Sequence, residues 1–266
     1  MPVECAVEIN PVGQEQFHAV DKRVMRHVFD IHNTLGRFCD ERIYSEELAQ
    51  RCRADGFEVH REVLLRASRQ GFTKPYYLDM LVERGVVYEL KAVETLNRSH
   101  QKQLINYLLL AGLKHGKLVN FRPGSVESRF VSTQLCRQDR MTFRLDDGEW
   151  LGDDEASWRL RETFFGLLSD WGVFLDVNLY RDALLHCMDG PEAGVQPVDI
   201  EVAGRPVGVQ KMCMLNAGTA WHLSAVRQHL ESYETHLVRL LTHTRLDRIH
   251  WINLDQRTVT LKTLTQ

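Results

Sequence analysis

The stretch YYLDMLVERGVVYELKAVE, residues 76–94, decides the fold. Two runs rich in β-branched and aromatic residues flank Glu83-Arg84-Gly85, the pattern of a β-hairpin. Asp79, Glu89 and Lys91 sit inside those runs, where charge is costly unless it is paired or used. Glu89 and Lys91, two residues apart, share one face of a strand. A two-residue turn at Arg84-Gly85 would pair Asp79 with Leu90 and point it away. A three-residue loop, Glu83-Arg84-Gly85, pairs Asp79 with Glu89 and gathers all three charges, with Gly85 supplying a positive φ. The spacing predicts that clustered register.

Working outward, the 266 residues suffice for one large domain or two ordinary ones, and 44% hydrophobic with 26% charged residues is a soluble, globular composition. The longest apolar patch, LINYLLLAGL at 104–113, is too short to span a membrane and reads as a buried helix. MPVECAVEINPVGQEQ has neither a basic start nor an apolar stretch, so it does not read as a secretory signal. Six cysteines without a C-x-x-C pair fit a reducing, cytoplasmic setting and argue against a zinc site. The net charge of −3 is uneven: residues 1–140 hold 21 Lys+Arg and 18 Asp+Glu, and the rest hold 12 and 18. A polyanion would prefer the first half.

The two halves echo each other. LGRFCDERIYSEEL (35–48) aligns with WGVFLDVNLYRDAL (171–184), and LDMLVERGVVYELKAV (78–93) with KMCMLNAGTAWHLSAV (211–226). QLINY (103–107) then falls on HLESY (229–233), and KLVNF (117–121) on HWINL (250–254). Periodicity predicts, for the first copy, helices over 15–35 and 39–55, strands near 57–67, 75–83 and 86–93, a helix over 99–113 and strands near 117–121 and 128–133.

Two carboxylates a strand apart beside a lysine suit a hard divalent cation, Mg²⁺ or Mn²⁺, that meets a substrate phosphate. A surface salt bridge is the plain alternative. The wider pattern resembles the PD-(D/E)XK nuclease superfamily, and within it the GxxExxY family. Glu41 and Tyr44 stand three apart in DERIYSEEL, LDMLV resembles the family's first strand, and VYELKAV its second. Phe38 stands where the family name puts glycine and Leu78 where the superfamily signature has proline. The resemblance implies an α/β, restriction-endonuclease-like core, a mixed central sheet flanked by helices, here in two tandem copies. It implies that Asp79, Glu89 and Glu41 bind metal, that Lys91 assists the attacking water, and that Tyr44 lies with the substrate-binding residues. Gln103 and Tyr107 share a helix face and resemble the Q-x-x-x-Y motif of RecB-like nucleases, which implies a hold on the DNA strand.

Carried through the repeat, Glu41, Asp79, Glu89 and Lys91 become Val177, Met212, His222 and Ser224, a set with no carboxylate. The expected organisation is a nuclease-like domain over 1–135, an acidic linker over 136–156 and a degenerate copy over 157–266. Histidines recur every seven residues from His222 to His250, a spacing too long for two of them to share an ion on one helix. The expected activity is metal-dependent phosphodiester hydrolysis, on DNA in preference to RNA, with a homodimer or protein partner engaged through the second copy and no membrane. The alternative is a nuclease fold that binds nucleic acid or protein without cutting. No G-x-x-x-x-G-K-[ST] motif occurs, so an ATP-driven motor is not part of this sequence.

Overall fold

The computed structural model describes residues 3–188, 190 and 194–266. The chain divides into two compact units, Pro2–Ser68 with Thr73–Arg137, and Arg69–Phe72 with Gln138–Gln266. Among the described residues each contains a six-stranded mixed sheet. None of their helices is long and apolar enough to cross a membrane.

The first unit runs β1 (Val3–Cys5), α1 (Gln14–Leu35), α2 (Glu41–Ala54), β2 (Val59–Arg69), β3 (Phe72–Val82), β4 (Val86–Lys91), α3 (Arg98–Ala111), β5 (His115–Asn120) and β6 (Glu127–Ser132). The strands lie in the order β1-β2-β3-β4-β5-β6. β4 and β5 are parallel, with α3 as their crossover, while β3–β4 and β5–β6 are antiparallel. Helical spacing places Phe17, Val24, Val28 and Ile31 of α1 on one stripe. They bury with Tyr44, Leu48 and Cys52 of α2 against Met80, Tyr88, Leu90 and Val119 of the sheet. Leu35, the last residue of α1, is exposed. Asp21 is buried on that stripe, because it accepts from Lys117 Nζ at 2.8 Å and the Tyr88 hydroxyl at 3.2 Å. Since Tyr88 and Leu90 face α1 and α2, alternation puts Glu89 and Lys91 on the opposite face. On that face Leu104 of α3 lies over Gly116, so closely that a side chain there would crowd it.

The second unit continues with α4 (Arg137–Arg140), β7 (Arg144–Glu149), α5 (Glu155–Trp171), α6 (Val177–Met188), β8 (Val195–Val202), β9 (Arg205–Asn216), β10 (Thr219–Ser224), α7 (Leu230–Thr242), β11 (Arg248–Asp255) and β12 (Thr258–Thr265). Its sheet order is β7-β12-β11-β10-β9-β8. β10 and β11 are parallel, whereas β9–β10 and β11–β12 are antiparallel, the same senses as in the first unit. The register also corresponds. Glu89 lies opposite Leu118 and His222 opposite Trp251, each pair displaced from the other by 133 residues.

Three expectations need correction. Residues 136–156 are not a plain linker: they contain α4 and β7, and β7 pairs in parallel with β12. RLDDGE (144–149) lacks the alternation that marks a strand; backbone pairing and the Lys262–Glu149 ion pair at 2.9 Å hold it instead. β1 was not expected either, being three residues held by the edge of β2. The loop after β3 has three residues as expected, with Met80 opposite Tyr88 and Val82 opposite Val86. Its positive φ values, however, belong to Glu83 (50°) and Arg84 (53°). Gly85 is needed for another reason: a Cβ there would strike the carbonyl oxygen of Asn10 and the side chain of Val12.

Candidate active site

The regular pairing of β3 with β4 ends at Met80 and Tyr88. Beyond it the Asp79 carboxylate, not the β3 backbone, accepts the Leu90 N–H at 2.8 Å. That side-chain bond turns Asp79 toward the Glu89–Lys91 face. Lys91 Nζ lies 2.6 Å from Glu89 Oε1, 3.6 Å from Asp79 Oδ2 and 3.9 Å from Glu41 Oε2. The four charged residues named from the sequence therefore meet, delivered by α2, β3 and β4. Glu89 is wholly buried, and its second oxygen, Oε2, has no hydrogen-bond partner.

The electrostatics follow from three carboxylates sharing one ammonium. Burial, then Asp79, pushes the Glu89 carboxyl up to about 8 against the pull of Lys91. Burial also raises Asp79, opposed by Lys91 and by the Leu90 N–H, and raises Glu41. Burial works against the Lys91 ammonium, yet Glu89, Asp79 and Glu41 together hold its pKa up. Among the described residues no group of three His, Cys, Asp or Glu is placed to hold a metal ion as it stands; here Lys91 stands among the carboxylates. The donor set nevertheless fits a hard cation, with three carboxylates and one buried oxygen left unpaired.

On α3, Gln103 Nε2 donates to the Tyr107 hydroxyl at 2.9 Å, and Tyr107 packs edge-on to Tyr76 at 6.0 Å. Burial raises the Tyr107 phenol, and the charges of Glu89, Asp79 and Lys91 reach it, so this pair adjoins the cluster.

Tyr44 takes a different place from the one expected. It is fully buried and stacked on Phe121 at 4.3 Å. Its hydroxyl donates to the Gly36 carbonyl at 2.8 Å and accepts the Cys39 N–H at 3.1 Å. No face is left for a substrate. Tyr44 instead ties down the loop from α1 to α2 and so fixes Glu41, the first residue of α2. Tyr180 makes the same bond in the second unit, to Gly172 at 2.6 Å.

Sequence reasoning missed Asn120. Its side chain accepts from Val93 N–H at 3.0 Å and donates to Val93 O at 2.7 Å, pinning the chain as it leaves the Glu89–Lys91 strand. Asn253 does the same for Val226, at 2.8 and 3.0 Å. The signal was present, since both asparagines occupy the fourth place of the aligned KLVNF and HWINL.

In the second unit the corresponding positions are closed by neutral groups. His222 Nε2 bonds the Tyr233 hydroxyl at 2.7 Å, Ser224 donates to Asn253 at 2.7 Å and accepts from Trp251 Nε1 at 2.8 Å, and Met212 packs on the core. Tyr233 is not at the helical position of Tyr107: it lies in the first turn of α7, with His229 as the N-cap, whereas Tyr107 lies near the end of α3. The five evenly spaced histidines are dispersed over β10, both ends and the middle of α7, and β11.

The site is thus a strand pair bearing Asp and Glu-x-Lys, followed by the crossover helix α3 and met by a helical glutamate. Residues 18–131 match the family model of the PD-(D/E)XK nuclease superfamily, so the chain carries one recognised PD-(D/E)XK domain, and that stretch contains all four charged residues. Neither a curated protein nor a solved structure matches the chain.

Proposed function

We propose that the first unit is a divalent-metal-dependent nuclease hydrolysing phosphodiester bonds of DNA, with one site per chain. The second unit, on this reading, repeats the fold with the site erased. The observation that carries it is the convergence of Glu41, Asp79, Glu89 and Lys91 around a buried, unpartnered carboxylate oxygen. Asp79, Glu89 and Glu41 are the residues that would hold Mg²⁺ or Mn²⁺. When bound, the cation would offset charge building at phosphorus and acidify a water. Lys91 Nζ orients that water and donates to a phosphate oxygen. Gln103 and Tyr107 flank the strand to be cut, and Tyr44 keeps Glu41 in place. The even pairing of strand senses in the two sheets, with one register shift, supports a common fold; the neutral set Val177, Met212, His222 and Ser224 supports loss of chemistry.

The 2.6 Å contact of Lys91 with Glu89 favours a second reading, a nuclease fold that binds nucleic acid or a partner without cutting. Calorimetry with Mn²⁺ on the wild type and on Asp79→Ala, alongside cleavage of single- and double-stranded DNA and of RNA, separates the two. One binding site per chain, lost together with DNA cleavage on Asp79→Ala, supports the nuclease. Absence of both binding and cleavage favours the second reading, and cleavage of RNA alone would remove DNA as the substrate.

A further inference from the structure

The strand that begins each sheet's first hairpin meets a different fate in the two units. In the first, the outer edge of β2 carries β1, with Val3 opposite Ala67 and Cys5 opposite Leu65. The chain then runs on past Leu64, where Ala6 N–H donates to Leu64 O, to the turn between β3 and β4, where Asn10 N–H donates to Arg84 O, each at 2.9 Å. Val3, Cys5, Val7 and Ile9 of this segment are half-buried, and the residues between them are exposed. In the second unit the segment before α5 goes to the opposite edge, as β7 on β12. Among the described residues β8 is left as an edge strand.

The displacement of 133 residues maps Leu65–Ala67 onto Val198–Ile200, and the turn Glu83–Gly85 onto Asn216–Gly218. A cavity of about 470 Å³ opens on that same surface, lined by Pro197, Val198, Asp199, Met214, Leu246 and Arg245 among others, with Arg245 paired to Glu201 at 2.6 Å. Val198 and Met214 are only partly buried beside the Ala220, Leu241 and Ile249 cluster, so this end of the core is thinly covered. The far end of the edge is closed, since the Glu201 N–H donates to His243 O at 2.8 Å. What stays open matches in length the three residues paired by β1.

We propose that β8 and this cavity receive an extended peptide of a partner protein, added antiparallel to β8, with apolar residues at alternate positions and a basic residue facing Asp199. Charge sets the last requirement. In the first unit Arg66 meets Glu4 of the covering segment at 3.5 Å. The corresponding residue of β8 is Asp199, which would repel that glutamate and attract a lysine. The excess of 18 Asp+Glu over 12 Lys+Arg in residues 141–266 points the same way.

The probe is a labelled synthetic peptide of residues 3–12 carrying Glu4→Lys and Cys5→Ser, titrated into the full chain beside its Glu4 counterpart, with amide exchange mapping the contact. The lysine peptide is expected to bind about fivefold more tightly than the glutamate one, protecting amides within Val198–Ile200. Asp199→Lys, at an exposed position, is expected to reverse that order. Binding by neither peptide at millimolar concentration, equal binding by both, protection elsewhere, or an order unchanged by Asp199→Lys would each overturn the proposal.

Discussion

Glu89 on β4 and His222 on β10 occupy the same register beside a parallel strand, yet their surroundings obey opposite rules. Around Glu89, three carboxylates crowd one lysine and leave a buried oxygen without a partner. Around His222, Tyr233, Ser224, Trp251 and Asn253 bond within the group, and the only ionisable member beside Tyr233 is a histidine held neutral by burial. An unsatisfied charged cluster costs stability, and a satisfied neutral one does not. The difference teaches that the loop clamp and the asparagine clamp belong to the fold, because both units have them, while the charge cluster is an expense borne by one unit alone.

The largest effect should come from the cluster itself. Glu89→Ala or Asp79→Ala is expected to lower DNA cleavage by on the order of 10²–10³-fold, whereas His222→Ala leaves it unchanged. Measurable loss with His222→Ala in a cleavage assay would break the contrast. Next, Tyr44→Phe and Tyr180→Phe should each lower unfolding free energy by about 1–3 kcal/mol, measured by chemical denaturation. Only Tyr44→Phe should also slow cleavage, through Glu41. Equal activity in both variants would mean that the loop holds Glu41 without its tyrosine.

The units should also respond to pH in opposite directions. Glu89 is raised from 4.5 to about 8, so the metal-free first unit is most stable below 4.5 in this respect and loses that stability as pH climbs through 8. His250 is wholly buried between Ser157 at 2.7 Å and Thr263 at 3.0 Å, stacked on Trp150. Burial, aided by Arg248, lowers its pKa from 6.5 to about 4, against Asp153 and Asp154. Its contribution is whole above 6.5 and is lost as pH falls through 4. All five tryptophans lie between residues 150 and 251, so their fluorescence reports the second unit, and amide exchange in β4 reports the first. Glu89→Gln should flatten the alkaline limb alone and His250→Asn the acid limb alone. The smallest change is expected at Gln103→Ala, about three- to tenfold in cleavage with little loss of stability, since its bond to Tyr107 is local.

The charge cluster was legible because charge inside apolar strand runs demands an explanation, and the loop length then fixed the faces of Asp79, Glu89 and Lys91. Tyr44 was not legible in its role. Its spacing from Glu41 is equally consistent with reaching a substrate and with holding a loop, and only its burial decides. β1 and β7 escaped notice because edge strands of three and six residues are held by backbone pairing, which leaves little mark on side-chain pattern. The helix match of Tyr107 to Tyr233 failed because a short motif can slide along a helix while still presenting a phenol to the same part of the sheet.

Gly85 and Gly218 show how one letter can answer to two different neighbours. They align, and neither has a positive φ. A side chain at Gly85 would strike the backbone of Asn10, but at Gly218 it would meet only the Asp247 carboxylate. The first cannot yield without moving the chain, whereas the second needs one side chain to rotate. Random mutagenesis should therefore tolerate alanine at 218 far more readily than at 85. Identity at aligned positions of the two units is thus a poor guide to shared constraint: the same residue can be required by a different neighbour in each.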